Sequence, residues 1–111
     1  MIIDKKDNIT LITQEVISLA TFRSRFGEAY DKFKNDNIIV NLLAFSGITA
    51  NDLMELHEVA MDHIENSGKS FVIVNDSVNY DDVHTDLVVV PTVKEAYDLV
   101  EMDEIARDLD A

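Results

Sequence analysis

Apolar residues recur along this chain in more than one rhythm. Met1 to Lys6 and Ile9 to Glu15 are short segments rich in β-branched residues, separated by the turn-forming pair Asp7-Asn8, and together they predict a β-hairpin. From Ser18 the period lengthens. Leu19, Phe22, Phe26, Tyr30 and Phe33 recur at intervals of three and four, which is one face of a helix, and Asn35-Asp36-Asn37 ends it. Ile38 to Ala44 is nearly all apolar and bounded by turn residues, as a central strand covered on both faces is. Ser46-Gly47 makes a turn, and Thr49 then caps a second helix, with Asp52 completing a short capping box. The stripe Leu53, Leu56, Ala60 and Ile64 supplies that helix with its core face, and Gly68 closes it.

Phe71 to Val74 is another buried strand. Asn75 to Asp86 is polar, with room for one helical turn within Val78 to Val83, and Leu87 to Val90 is a short strand stopped by Pro91. Thr92-Val93-Lys94-Glu95 forms a full capping box for a last helix whose apolar positions are Ala96, Leu99, Val100, Met102, Ala106 and Leu109. The order is β-β-α-β-α-β-α-β-α. Strands alternating with amphipathic helices predict an α/β fold whose sheet is mostly parallel, made mixed by the opening hairpin. No linker or repeat interrupts residues 1–111, so a single domain is expected. Its core should include Phe26, Leu42, Leu56, Val72, Ile73, Val89 and Leu99.

Composition sharpens this picture mainly by exclusion. Hydrophobic residues make up 47% of the 111, enough for one packed core and too many for a disordered chain. With no cysteine, disulfides, thiol catalysis and cysteine-ligated metal are excluded. No apolar run reaches membrane-spanning length, and Met1-Ile2-Ile3-Asp4-Lys5-Lys6 lacks the order of a signal peptide, so a soluble cytoplasmic protein is expected. The formal charge of −13 disfavours nucleic acid and anionic membranes as direct partners. Half of the 22 acidic residues fall after position 75, where there are only two basic ones. That segment is either a solvated face or a docking face for a basic partner.

Candidate chemistry is sparse. His57-Glu58 opens like a zinc-protease helix, but Met61 stands where the second histidine belongs, and His63 points elsewhere. Both imidazoles are expected to be partly exposed. Asp81, Asp82, His84 and Asp86 would collect a cation only weakly, so neither a metal nor another cofactor is expected. The three glycines stand alone, so phosphate-cradling loops are absent, and no serine–histidine pair has diagnostic spacing. The chain is therefore expected to be non-catalytic. The turn Ser46-Gly47-Ile48-Thr49 carries the functional interest, because it joins a buried strand to a helix N-terminus whose free N–H groups favour an anion. Ser46 and Thr49 are the candidate phosphoacceptors; the alternatives are a plain turn residue for Ser46 and an ordinary N-cap for Thr49. A protein partner is expected to contact Phe45, Ser46, Gly47 and Asn51, together with Glu55, Glu58 and Asp62 on the following helix.

Ile39-Val40-Asn41-Leu42-Leu43, Ser46-Gly47-Ile48, Leu53-Met54-Glu55-Leu56-His57, Phe71-Val72-Ile73-Val74 and Val89-Val90-Pro91-Thr92-Val93-Lys94-Glu95-Ala96 resemble the corresponding stretches of the STAS domain, the fold of bacterial anti-sigma-factor antagonists. The resemblance implies a regulatory, protein-binding module. It also implies a serine in the turn, at the place of Ser46, that a partner kinase phosphorylates. Phe45 stands where that family has a polar residue, and Ser46 to Leu53 is longer than its counterpart. The chain is also similar to short Bacteroidetes proteins that carry a ribonuclease Z label, through Lys69-Ser70-Phe71-Val72-Ile73-Val74 and the stretch from Val90 to Ile105. That nuclease needs a His-x-His-x-Asp-His motif, whereas no two histidines here lie two apart. The label therefore implies at most an accessory to an RNA-processing nuclease, docked through the acidic last third.

Overall fold

A computed structural model describes residues 1–110. A hairpin of β1 (Ile2–Lys6) and β2 (Ile9–Thr13) leads into α1 (Leu19–Ala29) and β3 (Asn37–Asn41). Then come α2 (Ala50–Leu53), α3 (His57–Ser67), β4 (Phe71–Val74), β5 (Val88–Val90) and α4 (Val93–Asp110). The five strands lie side by side in sequence order; β1 runs antiparallel to β2, and β2 to β5 are mutually parallel. This is the mixed, mostly parallel α/β sheet that the pattern predicts. Asp7 turns the hairpin with φ of 54°, a left-handed conformation that aspartate tolerates in turns.

The central strands are apolar throughout because both their faces are covered. Ile38, Val40, Phe71 and Ile73 point into a core closed by Phe22 and Phe26 of α1, Phe33, and Leu53, Leu56 and Ala60. Ile39, Val72 and Val74 point the other way, against Ala96 and Val100 of α4. The two-residue period of a strand divides the run between two helix layers. Phe26 sits at the centre of the larger core, its ring centroid 5.4 Å from that of Phe33 and 5.8 Å from that of Phe71. Ser18 begins α1 by accepting from the Thr21 N–H at 3.0 Å.

The second helix departs from expectation. It starts at the Thr49 capping box and ends at Gly68, whose φ of 70° suits glycine, but Met54–Leu56 between α2 and α3 is a 3₁₀ turn. A 3₁₀ turn advances about 120° per residue against about 100° in an α-helix, so three residues rotate all that follows by about 60°. Leu53, Leu56 and Ala60 stay buried, whereas Ile64 swings out to the surface and His63 takes its place at 0% exposure. His63 is thus a core residue, not the partly exposed one expected. Its Nε2 lies 2.8 Å from the Asp36 carbonyl, which only accepts, so Nε2 carries the proton; Nδ1 accepts from the Tyr30 hydroxyl at 2.6 Å. Burial pushes the His63 pKa below 6.5, against a smaller opposing pull from Asp36.

The last helix departs as well. Of its expected apolar face, Ala96 and Val100 are buried and Leu99 is half-buried, while Met102, Ala106 and Leu109 are exposed. Val89 too is only half-buried, because β5 is an edge strand. Beyond Val100 the helix is held by polar contacts to the amino end of the sheet. The Glu104 carboxylate accepts from Asn37 Nδ2 at 2.8 Å, from Arg107 at 2.7 Å and from Lys69 at 3.2 Å, and the Asp103 carboxylate accepts from the Ser70 hydroxyl at 2.8 Å. The Asn37 and Arg107 hydrogen bonds, helped by Lys69, hold the Glu104 pKa at about 2 against burial. Asn37, expected to end the first helix, is instead a fully buried hub that opens β3. At the start of α4, the Thr92 hydroxyl accepts from the Glu95 N–H at 3.1 Å, which is one half of the expected box.

Two outcomes follow from this packing. Leu56→Ala lowers folding stability by about 2–5 kcal/mol in urea unfolding, since it opens a cavity between α3 and the sheet. His63 and Glu104 both have folded-state pKa values below their unfolded ones, so each adds stability above its unfolded pKa that is lost as pH falls through the folded one. Stability should decline below pH 6.5 as His63 takes up a proton, then again between 4.5 and about 2 as Glu104 does. Unfolding midpoints measured across this range check it, and Glu104→Gln should lack the lower step.

Candidate functional site

The carboxyl ends of parallel strands leave carbonyls without sheet partners, and the loops that follow must satisfy them. Here one side chain does much of this. Asn75, directly after β4, is fully buried. Its Nδ2 donates to the carbonyls of Leu42 and Phe45, both at 3.0 Å, and its Oδ1 accepts from the Ser77 and Val78 N–H groups at 3.0 Å and from the Ser77 hydroxyl at 3.0 Å. The Tyr80 hydroxyl donates to the Asn75 carbonyl at 2.8 Å. The loop after β3 and the loop after β4 are thereby fixed to one another.

The β3 loop carries the residues singled out in the sequence. Phe45 is 9% exposed, its ring packed in the core; Ser46 and Gly47 are exposed, and Gly47 has φ of 78°. Ile48 is buried beneath the turn. Together with Ile17, Leu19, Ala20, Asn51, Asp52 and Glu55, these four residues line an open depression of about 450 Å³ between α1 and α2. Glu58 and Asp62 lie outside it. Glu58 faces Arg23 of α1 at 3.3 Å, and Asp62 borders a smaller hollow with Phe26, Gly27, Tyr30 and Val59. Phe45 therefore lines the depression with little of its ring exposed and does not project from it.

The local electrostatics differ from those expected of a helix N-terminus. α2 has only four residues, and its capping box is complete: the Thr49 hydroxyl accepts from the Asp52 N–H at 3.1 Å while the Asp52 carboxylate accepts from the Thr49 N–H at 2.9 Å. The Thr49 and Asp52 N–H groups are thus satisfied within the box, Asp52 adds a negative charge there, and no lysine or arginine lines the depression. The turn does not suit a bound anion. Thr49 is committed to its cap, whereas the Ser46 hydroxyl has no partner among the described residues.

Two further features lay beyond sequence reasoning. One is Asn75 itself, for which an Asn following a buried strand and followed by Asp-Ser is the local signal of a side-chain-capped turn. The other is the meeting of His57, at the start of α3, with His84 and Asp86 of the β4–β5 loop, their ligand atoms all within 4.8 Å of one another. Asp81 and Asp82, grouped with His84 by sequence proximity, stay outside this cluster. Among the described residues, no helix is long and apolar enough to cross a membrane. No protein-family model and no curated protein matches the chain.

Asn75→Ala removes one of two hydrogen bonds from each of the Leu42 and Phe45 carbonyls and leaves the Ser77 and Val78 N–H groups without their acceptor. It should lower stability by about 2–4 kcal/mol and speed proteolytic cleavage of both loops at temperatures where the sheet persists.

Proposed function

We propose that this protein is a non-catalytic STAS-like interaction module, related in design to anti-sigma-factor antagonists, which presents the turn from Ser46 to Asn51 and the exposed side of α3 to a protein partner. The observation that carries the reading is the depression at that turn: an apolar floor of Ile17, Leu19, Phe45 and Ile48, an acidic rim of Asp52 and Glu55, and an unpartnered Ser46 hydroxyl at its edge. It is open and shallow, as a docking surface is, and not the convergent polar cleft that chemistry on a small substrate needs. The layout supports the same reading. An antiparallel hairpin opens a sheet with strands in sequence order, α1 and α3 share one face, and α4 covers the other. The partner would be an anti-sigma-factor-like or kinase-like protein with a basic rim around an apolar contact. Glu55 in the 3₁₀ turn and Asp62 on α3 support that complementarity, while Glu58 already faces Arg23 of α1.

A phosphate on Ser46 would add roughly 1.5–2 negative charges beside Asp52 and Glu55, in a depression whose lining holds no lysine or arginine. It would turn an apolar contact into a charged one. The partner, captured from the native host and purified, is titrated against Ser46→Asp and Ser46→Ala. The aspartate variant should weaken binding by about tenfold or more, and the alanine variant should bind as the parent does. Equal affinities of the two variants, with no phosphate on Ser46 in protein from the host, would refute the switch.

A further inference from the structure

We propose that His57, His84 and Asp86 form a zinc site that ties the start of α3 to the β4–β5 loop. The inference does not depend on the interaction module proposed above. Zinc bonds of about 2.0–2.2 Å in tetrahedral array set neighbouring ligand atoms about 3.3–3.5 Å apart. His57 Nε2 lies 3.2 Å from Asp86 Oδ2, and His84 Nδ1 lies 3.6 Å from the same oxygen. The two imidazoles cross at 70° with centroids 4.9 Å apart, and one nitrogen of each lies within 4.8 Å of the other and of the Asp86 carboxylate. Two imidazoles and one carboxylate are a donor set that borderline cations choose, and the remaining positions are open to water.

The protonation pattern requires only small adjustments. His84 Nδ1 already accepts a hydrogen bond, from the Asp86 N–H at 3.1 Å, so this nitrogen carries a lone pair and its proton sits on Nε2. Zinc would take that lone pair once the exposed His84 ring turns from the Asp86 N–H, at the expense of that hydrogen bond. His57 would present Nε2 to the metal, its proton moving to Nδ1. The side chains are 29%, 44% and 51% exposed, so a hydrated ion can reach all three. The strongly negative chain concentrates cations of every kind, but carboxylates alone would not prefer zinc to magnesium, whereas imidazole does. His57 and His84 are separated by the whole of β4, so the metal would act as a cross-link between distant segments. His84 also lines a second depression, of about 490 Å³, with Thr49, Asn51 and Met54. A metal there would hold the loop that walls it.

The test is calorimetric titration of the full chain with zinc chloride in excess magnesium, with thermal unfolding followed in parallel. One zinc per chain is expected, with a higher unfolding midpoint in its presence. His57→Ala and His84→Ala should each weaken binding by about tenfold or more and remove the thermal shift, whereas Asp81→Asn with Asp82→Asn should change neither. His84 is exposed, so its variant should fold as the parent does, which circular dichroism checks. Cobalt(II) gives a second readout: a visible ligand-field band in the parent chain that His84→Ala lacks. Three results would overturn the proposal: no zinc uptake, uptake that magnesium displaces, or an affinity that neither histidine substitution alters.

Discussion

The carboxamide of Asn75 is the contact on which the loops at the carboxyl end of this sheet depend. A parallel sheet hands each strand's last carbonyls to loops that have no regular partner for them, and burying such groups unpaired is costly. Asn75 resolves this for two loops at once, because its side chain offers both a donor and an acceptor end. No apolar side chain of similar volume could do the same. Through it the segment that leads into the Ser46 turn is tied to the start of the loop that carries His84.

Asn37 does the equivalent work at the opposite end of the sheet. Its side chain donates to the Asn8 carbonyl and to Glu104 and accepts from the Ser70 N–H and from Arg107. These bonds explain how α4 can be long and yet bury so little apolar surface. Its first half is held by Ala96 and Val100 against the sheet, and its second half by charge-assisted hydrogen bonds to Asn37, Lys69 and Ser70. Such bonds are about twice as strong as neutral ones, and they fix direction where apolar contact does not. The depressed pKa of Glu104 is the electrostatic signature of that anchorage.

The charge distribution distinguishes the two ends of the sheet. At the amino end acids meet bases and are consumed in structure. At the carboxyl end Asp52 and Glu55 have no such partners around the depression, and Asp52 itself caps α2. The depression therefore carries negative charge with no lysine or arginine in its lining to offset it. The same acidity around His57 and His84 favours a cation over an anion.

Local pattern alone determined the order of elements along the chain, the hairpin, the Thr49 capping box and the Gly68 stop, because each depends on neighbours within a few residues, and the unbroken apolar runs of Ile38–Val40 and Phe71–Val74 marked strands covered on both faces. It also placed the exposed turn at Ser46, since a Ser-Gly pair after a buried strand has few other uses. What it left undecided arose from contacts between distant segments. Whether Ile64 or His63 faced the core turned on a 3₁₀ turn that aligns Leu53 with Leu56, and helical periodicity assumes no such turn. The exposure of Met102 and Leu109 depended on where the sheet ends beneath α4, which periodicity cannot measure. The joining of Asn75 to Phe45 and of His57 to His84 each spans about thirty residues of chain, and only packing across the sheet brings such positions within hydrogen-bonding reach.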